Sequence, residues 1–379
     1  MLMKEILFTF DTYFHNRFKR NITMNLTSSR ILITTLLLTF SLGIIAQETT
    51  ESANKFSKES SASYLKSKKS VFSSDPLKSK FDAIKLIDVS YQQMTKADCD
   101  LKKGSHVYES QKLNATRRLK ADINYIPLIS KEKFTLSASL RYRYEFMPFD
   151  TYGNAPWEHG LDVETHYFVG GFTFGYHNKL FGRDFDFKLK ALTDASNKGF
   201  ESVIGSAHIS YNIVKSSNTI ASIGVYGTTS QAVIFPIFPT VTFKHRFGES
   251  PLLIDFNLPY NAYFRSMIGK NGRLSAGAAL DGTMAYIYPG LSMPRKPSDK
   301  PDESIVTRGT YSYHRIDIKG GVKYEHFIAK NILASVDLGV SKVYKGVLRR
   351  KNSDDNFVKL SQNANFYFNI GLAYTIGFY

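Results

Sequence analysis

The sequence predicts a transmembrane antiparallel up-and-down β-barrel of about 14 strands, and three observations carry that expectation. Apolar residues recur at every second position through most of the chain after residue 80, the period of a strand with one apolar and one polar face. The connections between these stretches alternate between tight and long, as the periplasmic turns and outer loops of a membrane barrel do. Aromatic residues make up 14% of the chain, with 29 Phe and 23 Tyr against one Trp, a profile that suits strands rather than helices. A soluble secreted sandwich or solute-binding barrel alternates in the same way. Charges repeated on the polar faces, Phe and Tyr near strand ends, and a chain that closes in a strand favour the membrane form.

Several classes are excluded. Only the N-terminal region approaches the roughly 20 apolar residues a helical span needs, so the chain is not a helical bundle in a membrane. One cysteine, Cys99, rules out an intramolecular disulfide framework and a Cys-based zinc cluster. His159, His166, His177, His245, His314 and His326 are scattered without metal-ligand spacing, and the segment GAALDG lacks the strand-to-helix context of a phosphate loop. Neither a metal nor a cofactor is expected.

Element by element, Met1 to Thr23 is a mixed charged and aromatic stretch that no secretory signal requires, so translation is expected to start at Met24. Arg30 then precedes fifteen uncharged residues, Ile31 to Ile45 (ILITTLLLTFSLGII), followed by Ala46, Gln47 and Glu48. This reads as a secretory signal peptide cut after Ala46. Residues 1–46 contain Lys4, Arg17, Lys19, Arg20 and Arg30 against Glu5 and Asp11, so their removal lowers the formal charge from +16 to +13. In a cytosolic protein that balance would point to nucleic acid; an exported chain with dispersed basic residues is expected to bind none. Residues 47–80, Gln47 to Lys80, are rich in Ser and Lys without sustained periodicity and read as a disordered periplasmic tether. An arm for anionic head groups or peptidoglycan is the functional alternative.

Residues 81–379 are the expected barrel. Ile84 to Tyr91 alternates weakly and Leu119 to Tyr125 more cleanly. Phe134, Leu136, Ala138, Leu140, Tyr142, Tyr144 and Phe146 oppose Thr135, Ser137, Ser139, Arg141, Arg143 and Glu145, giving two chemically opposite faces. Leu161 to Tyr176 changes phase near Gly170 and Gly171, which predicts a bulge. Phe185 to Ala191, Val203 to Ile213, a weak Ile220 to Thr229, Val241 to Phe247, Leu252 to Tyr260, Leu274 to Tyr286, Ile316 to Tyr324 and Ile332 to Val340 continue the series. In the last stretch Phe366, Phe368, Ile370, Leu372, Tyr374, Ile376 and Phe378 share one face, which a helix would scatter. Tight turns are read at 129–133, 178–183, 215–218, 248–251, 269–272 and 329–331. Seven longer connections alternate with them, among them 147–160, 228–239, 289–309 and 345–363. Six turns and seven loops join 14 strands, or 12 if the weakest pair does not span.

The closing NFYFNIGLAYTIGFY, ending at Tyr379, resembles the C-terminal aromatic signal by which outer-membrane proteins are recognised for insertion. With the IIAQ export boundary, the pattern from Phe81 to Tyr379 resembles one of the uncharacterised families of porin-like outer-membrane β-barrels of Gram-negative bacteria. The usual signal keeps its last residue in phase with the apolar positions; here Phe378 is in phase and Tyr379 is not. The resemblance implies an outer-membrane location, contact with outer-membrane lipid and assembly by the barrel insertion machinery.

With the apolar face toward lipid, the lumen receives Arg141, Arg143, Glu145, Lys188, Lys190, Lys244, Arg246, Arg315, Asp317 and Lys319, and basic residues slightly outnumber acidic ones on that face as a whole. Fixed charges set pore selectivity, so a water-filled lumen with a mild anion preference follows. The alternative is that the charges pair and fill the barrel. Segment 289–309 and the tether are each long enough to enter it. Phe149, Tyr152 and Trp157 fall on an outer loop. Cys99, within TKADCDLKKG, reads as an unpaired thiol or an intermolecular link. His208 and Ser210 share a face with Asn212, which a His-activated Ser hydrolase would use, but alternation points them inward rather than to lipid. The chain is therefore expected to be a passive channel for small polar solutes and not an enzyme. A closed barrel serving a surface or secretion complex is the alternative, and a lipid hydrolase the third reading.

Overall fold

The computed structural model describes residues 80–103, 106–151, 161–230, 233, 235–248, 250–288, 310–350 and 357–376. The signal peptide, the tether up to residue 79, Tyr152, Trp157, segment 289–309, Phe378 and Tyr379 lie outside the described residues.

Alternating sequence becomes strand throughout. The described strands are β1 Ile84–Met94, β2 Ala97–Lys103, β3 His106–Leu113, β4 Thr116–Ser130, β5 Phe134–Thr151, β6 Leu161–Leu180, β7 Arg183–Ser196, β8 Gly199–Lys215, β9 Thr219–Thr228, β10 Ile237–Arg246, β11 Leu252–Leu258, β12 Asn261–Ile268, β13 Gly272–Ile287, β14 Tyr311–Ala329, β15 Ile332–Arg350, β16 Phe357–Gln362 and β17 Asn365–Ile376. Each pairs antiparallel with its neighbours, and β17 pairs with β1 to close the ring. β1 and β2, β3 and β4, and β16 and β17 are halves of single wall strands, each broken by two residues, which leaves a closed barrel of 14 strands. Closure removes the sheet edges, so every wall strand finds partners within lipid.

All six predicted tight turns are present, and the one at Phe181 and Gly182 takes positive φ at both residues (51° and 76°), the geometry of a type I′ hairpin. Three of the seven predicted long connections are instead two residues long: 104–105, 197–198 and 259–260. Strands also run further than expected into the others, to Thr151 and Arg350. Outward side chains such as Leu140, Phe172, Val203, Ile223, Phe264, Val322, Leu338 and Leu372 are exposed around the wall. Such a belt is incompatible with water and is what a bilayer covers.

The predicted bulge at Gly170 and Gly171 is absent, for β6 keeps its register with β5 and β7 past both glycines. The face does not shift; its chemistry reverses with depth. Near the long-loop end of β6, inward Val163 and Tyr167 are buried while outward Glu164 is exposed. There the inward side chains form an apolar cluster of Cys99, Leu113, Met147, Val163, Ala285, Tyr311, Tyr313 and Leu348. Cys99 is 1% exposed in this cluster, which overturns an intermolecular link.

The wall is not round. β12 follows β13 only to Asn261 opposite Ala279, whereas β13 stays paired with β14 up to Ile287 opposite Tyr311. The freed part of β13 crosses the lumen: β6 and β13, half a ring apart, carry Cα atoms within 8 Å of each other. Gly277, Gly321 and Gly339 lie side by side just below this departure. A Cβ on any of them would sit 2.1 Å from a carbonyl oxygen of the next strand, so only glycine permits strands packed this tightly.

Candidate functional site

The inward strand faces divide into a filled half and a half whose basic side chains are exposed. In the filled half, Arg118 on β4 is fully buried and its guanidinium reaches Glu145 at 2.7 Å, Asp281 at 3.1 Å and Asp317 at 3.7 Å. Arg315 binds Asp317 through Nε at 2.6 Å and lies 3.9 Å from Glu145. Lys120 meets Asp281 at 2.8 Å, and Lys319 joins Asp281 and donates to Gln92 Oε1 at 2.8 Å. Arg143 reaches across to the Gly282 carbonyl on β13. Five strands thus supply one dry, interlocked cluster, which stays in place because removing any one member would strand a buried charge.

Toward the tight-turn end a second cluster gathers on Glu325, which takes Lys323 at 3.0 Å, Lys85 at 3.7 Å and Arg273 Nε at 2.9 Å. Asp255 takes Arg265 at 3.0 Å and Lys244 at 3.9 Å, and Lys244 also reaches Asp82 at 3.5 Å. Asp82 belongs to a single 3₁₀ turn, Lys80–Asp82, that precedes β1. Its neighbour Phe81 is buried against Phe327, Leu333 and Ala373, with Arg273 4.7 Å from its ring centroid. The first described residues therefore enter the barrel mouth.

The other half is lined by β5 to β10. Arg141, Lys188 and Lys190 are exposed inward side chains. Register places Lys188 beside His208 and Lys190 beside Ser206. Arg141 pairs with Asp122 at 2.9 Å and His177 with Asp186 at 2.7 Å. Among the described residues, Lys188, Lys190 and Arg246 have no carboxylate partner. The uncompensated charges on this wall are thus basic.

The alternation placed all ten sequence-predicted residues on the inward face, but it did not separate Arg141, Arg143, Glu145, Arg315, Asp317, Lys319 and Lys244, which are held in ion pairs or backbone contacts, from Lys188, Lys190 and Arg246, which are not so held among the described residues. His208 and Ser210 do share the inward face, yet the nearest hydrogen-bond partner of His208 Nε2 is Thr240 Oγ1 at 3.1 Å. No Ser-His pair is assembled at 208 and 210. Sequence reasoning missed Asp194, which is fully buried and accepts hydrogen bonds from Ser202 Oγ at 2.6 Å, Tyr286 OH at 2.9 Å and Tyr167 OH at 3.2 Å. Through Tyr286 it fastens β13 to β7.

No family model matches the chain, and no curated protein matches it. Among solved structures, the COG4313 outer membrane channel from Pseudomonas putida F1 is 8% identical, covering 78% of this chain and 99% of its own, with a TM-score of 0.35. A Pseudomonas aeruginosa FadL homologue is 10% identical over 78% and 91%, at 0.26, and the outer membrane protease OmpT from Escherichia coli 11% identical over 76% and 96%, at 0.22. By its own strand pairing and apolar outer face, the chain is a closed 14-strand transmembrane antiparallel β-barrel.

Proposed function

We propose that the protein is a narrow passive channel of the outer membrane for small polar solutes, with a preference for anions, running along the β5 to β10 side of the lumen. The observation that carries this reading is the charge left over after pairing. Among the described residues, lumenal acids are bound by arginine, lysine, histidine or hydroxyl donors, whereas Lys188, Lys190 and Arg246 have no carboxylate partner. Unpaired charge of one sign on a hydrated wall attracts counter-ions and sets selectivity. In the same reading the signal peptide is removed after Ala46 and the barrel insertion machinery places the chain in outer-membrane lipid.

The test is the reversal potential of the refolded mature protein in a planar bilayer under a KCl gradient. The parent is expected to prefer chloride, and Lys188→Glu with Lys190→Glu to move selectivity toward potassium. Cation preference in the parent, or a selectivity indifferent to both substitutions, overturns the anion path. The ion-paired half and Phe81 in the mouth favour a second reading, a closed barrel with a structural role. A folded protein that never conducts would establish it.

A further inference from the structure

We infer that His314, Lys345 and Arg349 form a distinct anion site that takes a small solute bearing a phosphate or sulfate group. Its place along the route rests on the channel reading above; its ability to bind does not. Register sets Ser312 opposite Arg349, His314 opposite Val347 and Ile316 opposite Lys345, so both cations are diagonal neighbours of His314 on one face of the sheet. Across the next strand pair Met284 lies opposite His314 and Tyr286 opposite Ser312, so the same face carries Tyr286.

By the barrel's alternation this face should look outward. It is buried instead, His314 being 3% exposed, because the sheet it belongs to turns into the lumen. Tyr286 OH meets Asp194, which shares its face of β7 with Lys188 and Lys190. Lys345 Nζ donates to the Val233 carbonyl in the β9–β10 connection at 3.2 Å. The face bearing His314 therefore confronts the wall bearing the two unpaired lysines, and the site sits nearer the long-loop end of the same half-lumen.

Its side chains are unfinished. Both ring nitrogens of His314 and Nε of Arg349 are buried without a hydrogen-bond partner among the described residues. Neither Lys345 nor Arg349 is paired with a carboxylate among the described residues, and the charges that act on His314 are those of Arg349 and Lys345, with no acid among them. Buried polar groups are almost always satisfied. Three basic side chains converging without an acid are satisfied together by a tetrahedral oxyanion, whose several oxygens accept from an ammonium, a guanidinium and an imidazole N–H at once.

Isothermal titration of the refolded full-length protein in detergent with inorganic phosphate tests the site without requiring conduction. Saturable binding is expected, weakened about tenfold or more in Lys345→Ala and in Arg349→Ala, since a hydrogen bond to a charged group is worth about that factor. His314→Gln, close in shape, is expected to weaken it less. Electrophoretic mobility before and after boiling confirms that each variant is folded; Arg349→Lys, which keeps the charge but not the fork, replaces any that is not and is expected to bind more weakly than the parent. Absence of saturable binding, or unchanged binding in folded Lys345 and Arg349 variants, overturns the site. Short-chain phosphatidic acid binding more than about tenfold tighter than inorganic phosphate would reassign it to a lipid head group and overturn the solute. A silent barrel that still binds phosphate refutes the channel alone, and a conducting one that does not refutes this site alone.

Discussion

Asp194 shows what one carboxylate does in this lumen. It is fully buried and takes three hydroxyl donors from β6, β8 and β13, strands that are separated along the chain but meet where the lumen is pinched. Hydrogen bonds to a charged acceptor are each worth about 1.5–3 kcal/mol and are not additive, so Asp194→Ala is expected to destabilise the barrel by about 3 kcal/mol. It should also raise single-channel conductance, because Tyr286 loses its hold on β7 and β13 is free to move off β6. Unfolding followed by electrophoretic mobility against temperature, together with bilayer recording, checks both. A variant with parental stability and conductance would show that β13 is held elsewhere. Nothing in the sequence marks this residue. Alternation makes Asp194 one more inward polar position, and its partner Tyr286 lies 92 residues away. The same distance hides the ion pairs: Arg118 and Asp281 are 163 residues apart, so the inward charges were legible as a set while their partners were not.

Strands and turns were legible where the membrane imposes one rule along their whole length. β17 keeps an apolar outward face and a polar or small inward one with its alternation unbroken, and β5 does so as far as Phe146. β6 and β14 leave the apolar belt at their long-loop ends, where inward residues turn apolar and outward ones polar, as with buried Tyr313 beside inward-turned His314. A period-two pattern whose polarity reverses looks like a slip of register, which is why the sequence suggested a bulge that β6 does not contain. The bend in β13 to β15 was likewise invisible, since three single glycines in distant segments acquire meaning only once Gly277, Gly321 and Gly339 stand in register. Their role is testable by a neighbouring pair. Gly321→Ala places a methyl 2.1 Å from the Leu338 carbonyl oxygen and 2.8 Å from Gly339 Cα, both backbone atoms that cannot step aside. At Gly320 the nearest atom is 3.9 Å away. Overpacking of a side chain costs about 1–3 kcal/mol and a clash with backbone more, so Gly321→Ala should fold poorly or melt earlier while Gly320→Ala behaves as the parent. Equal folding yields and melting temperatures for the two would mean that the crease is not set by glycine.

At the scale of the whole molecule, ring size alone would suggest a wide pore, yet within the ring of 14 strands β13 leaves the wall and approaches β6. β13 divides the lumen, ion pairs occupy one part, and the turn Lys80–Asp82 enters the mouth at the tight-turn end. That turn bridges wall strands that are not neighbours: Asp82 reaches Lys244 on β10, while Phe81 lies 5.1 Å from the Phe327 ring on β14 and under Arg273 on β13. A buried aromatic in such a place does two separable things, contributing to stability and excluding water from the mouth. Phe→Ala at a packed site costs about 3–5 kcal/mol, so Phe81→Ala is expected to lower the melting temperature. It is also expected to raise conductance, since the ring no longer covers Arg273 and Phe327. Phe81→Leu keeps apolar volume and should restore most of the stability and the parental conductance. On the channel reading, equal conductance in all three proteins would mean that the mouth does not limit flow, and the Asp194 variant then tests whether the approach of β13 to β6 does.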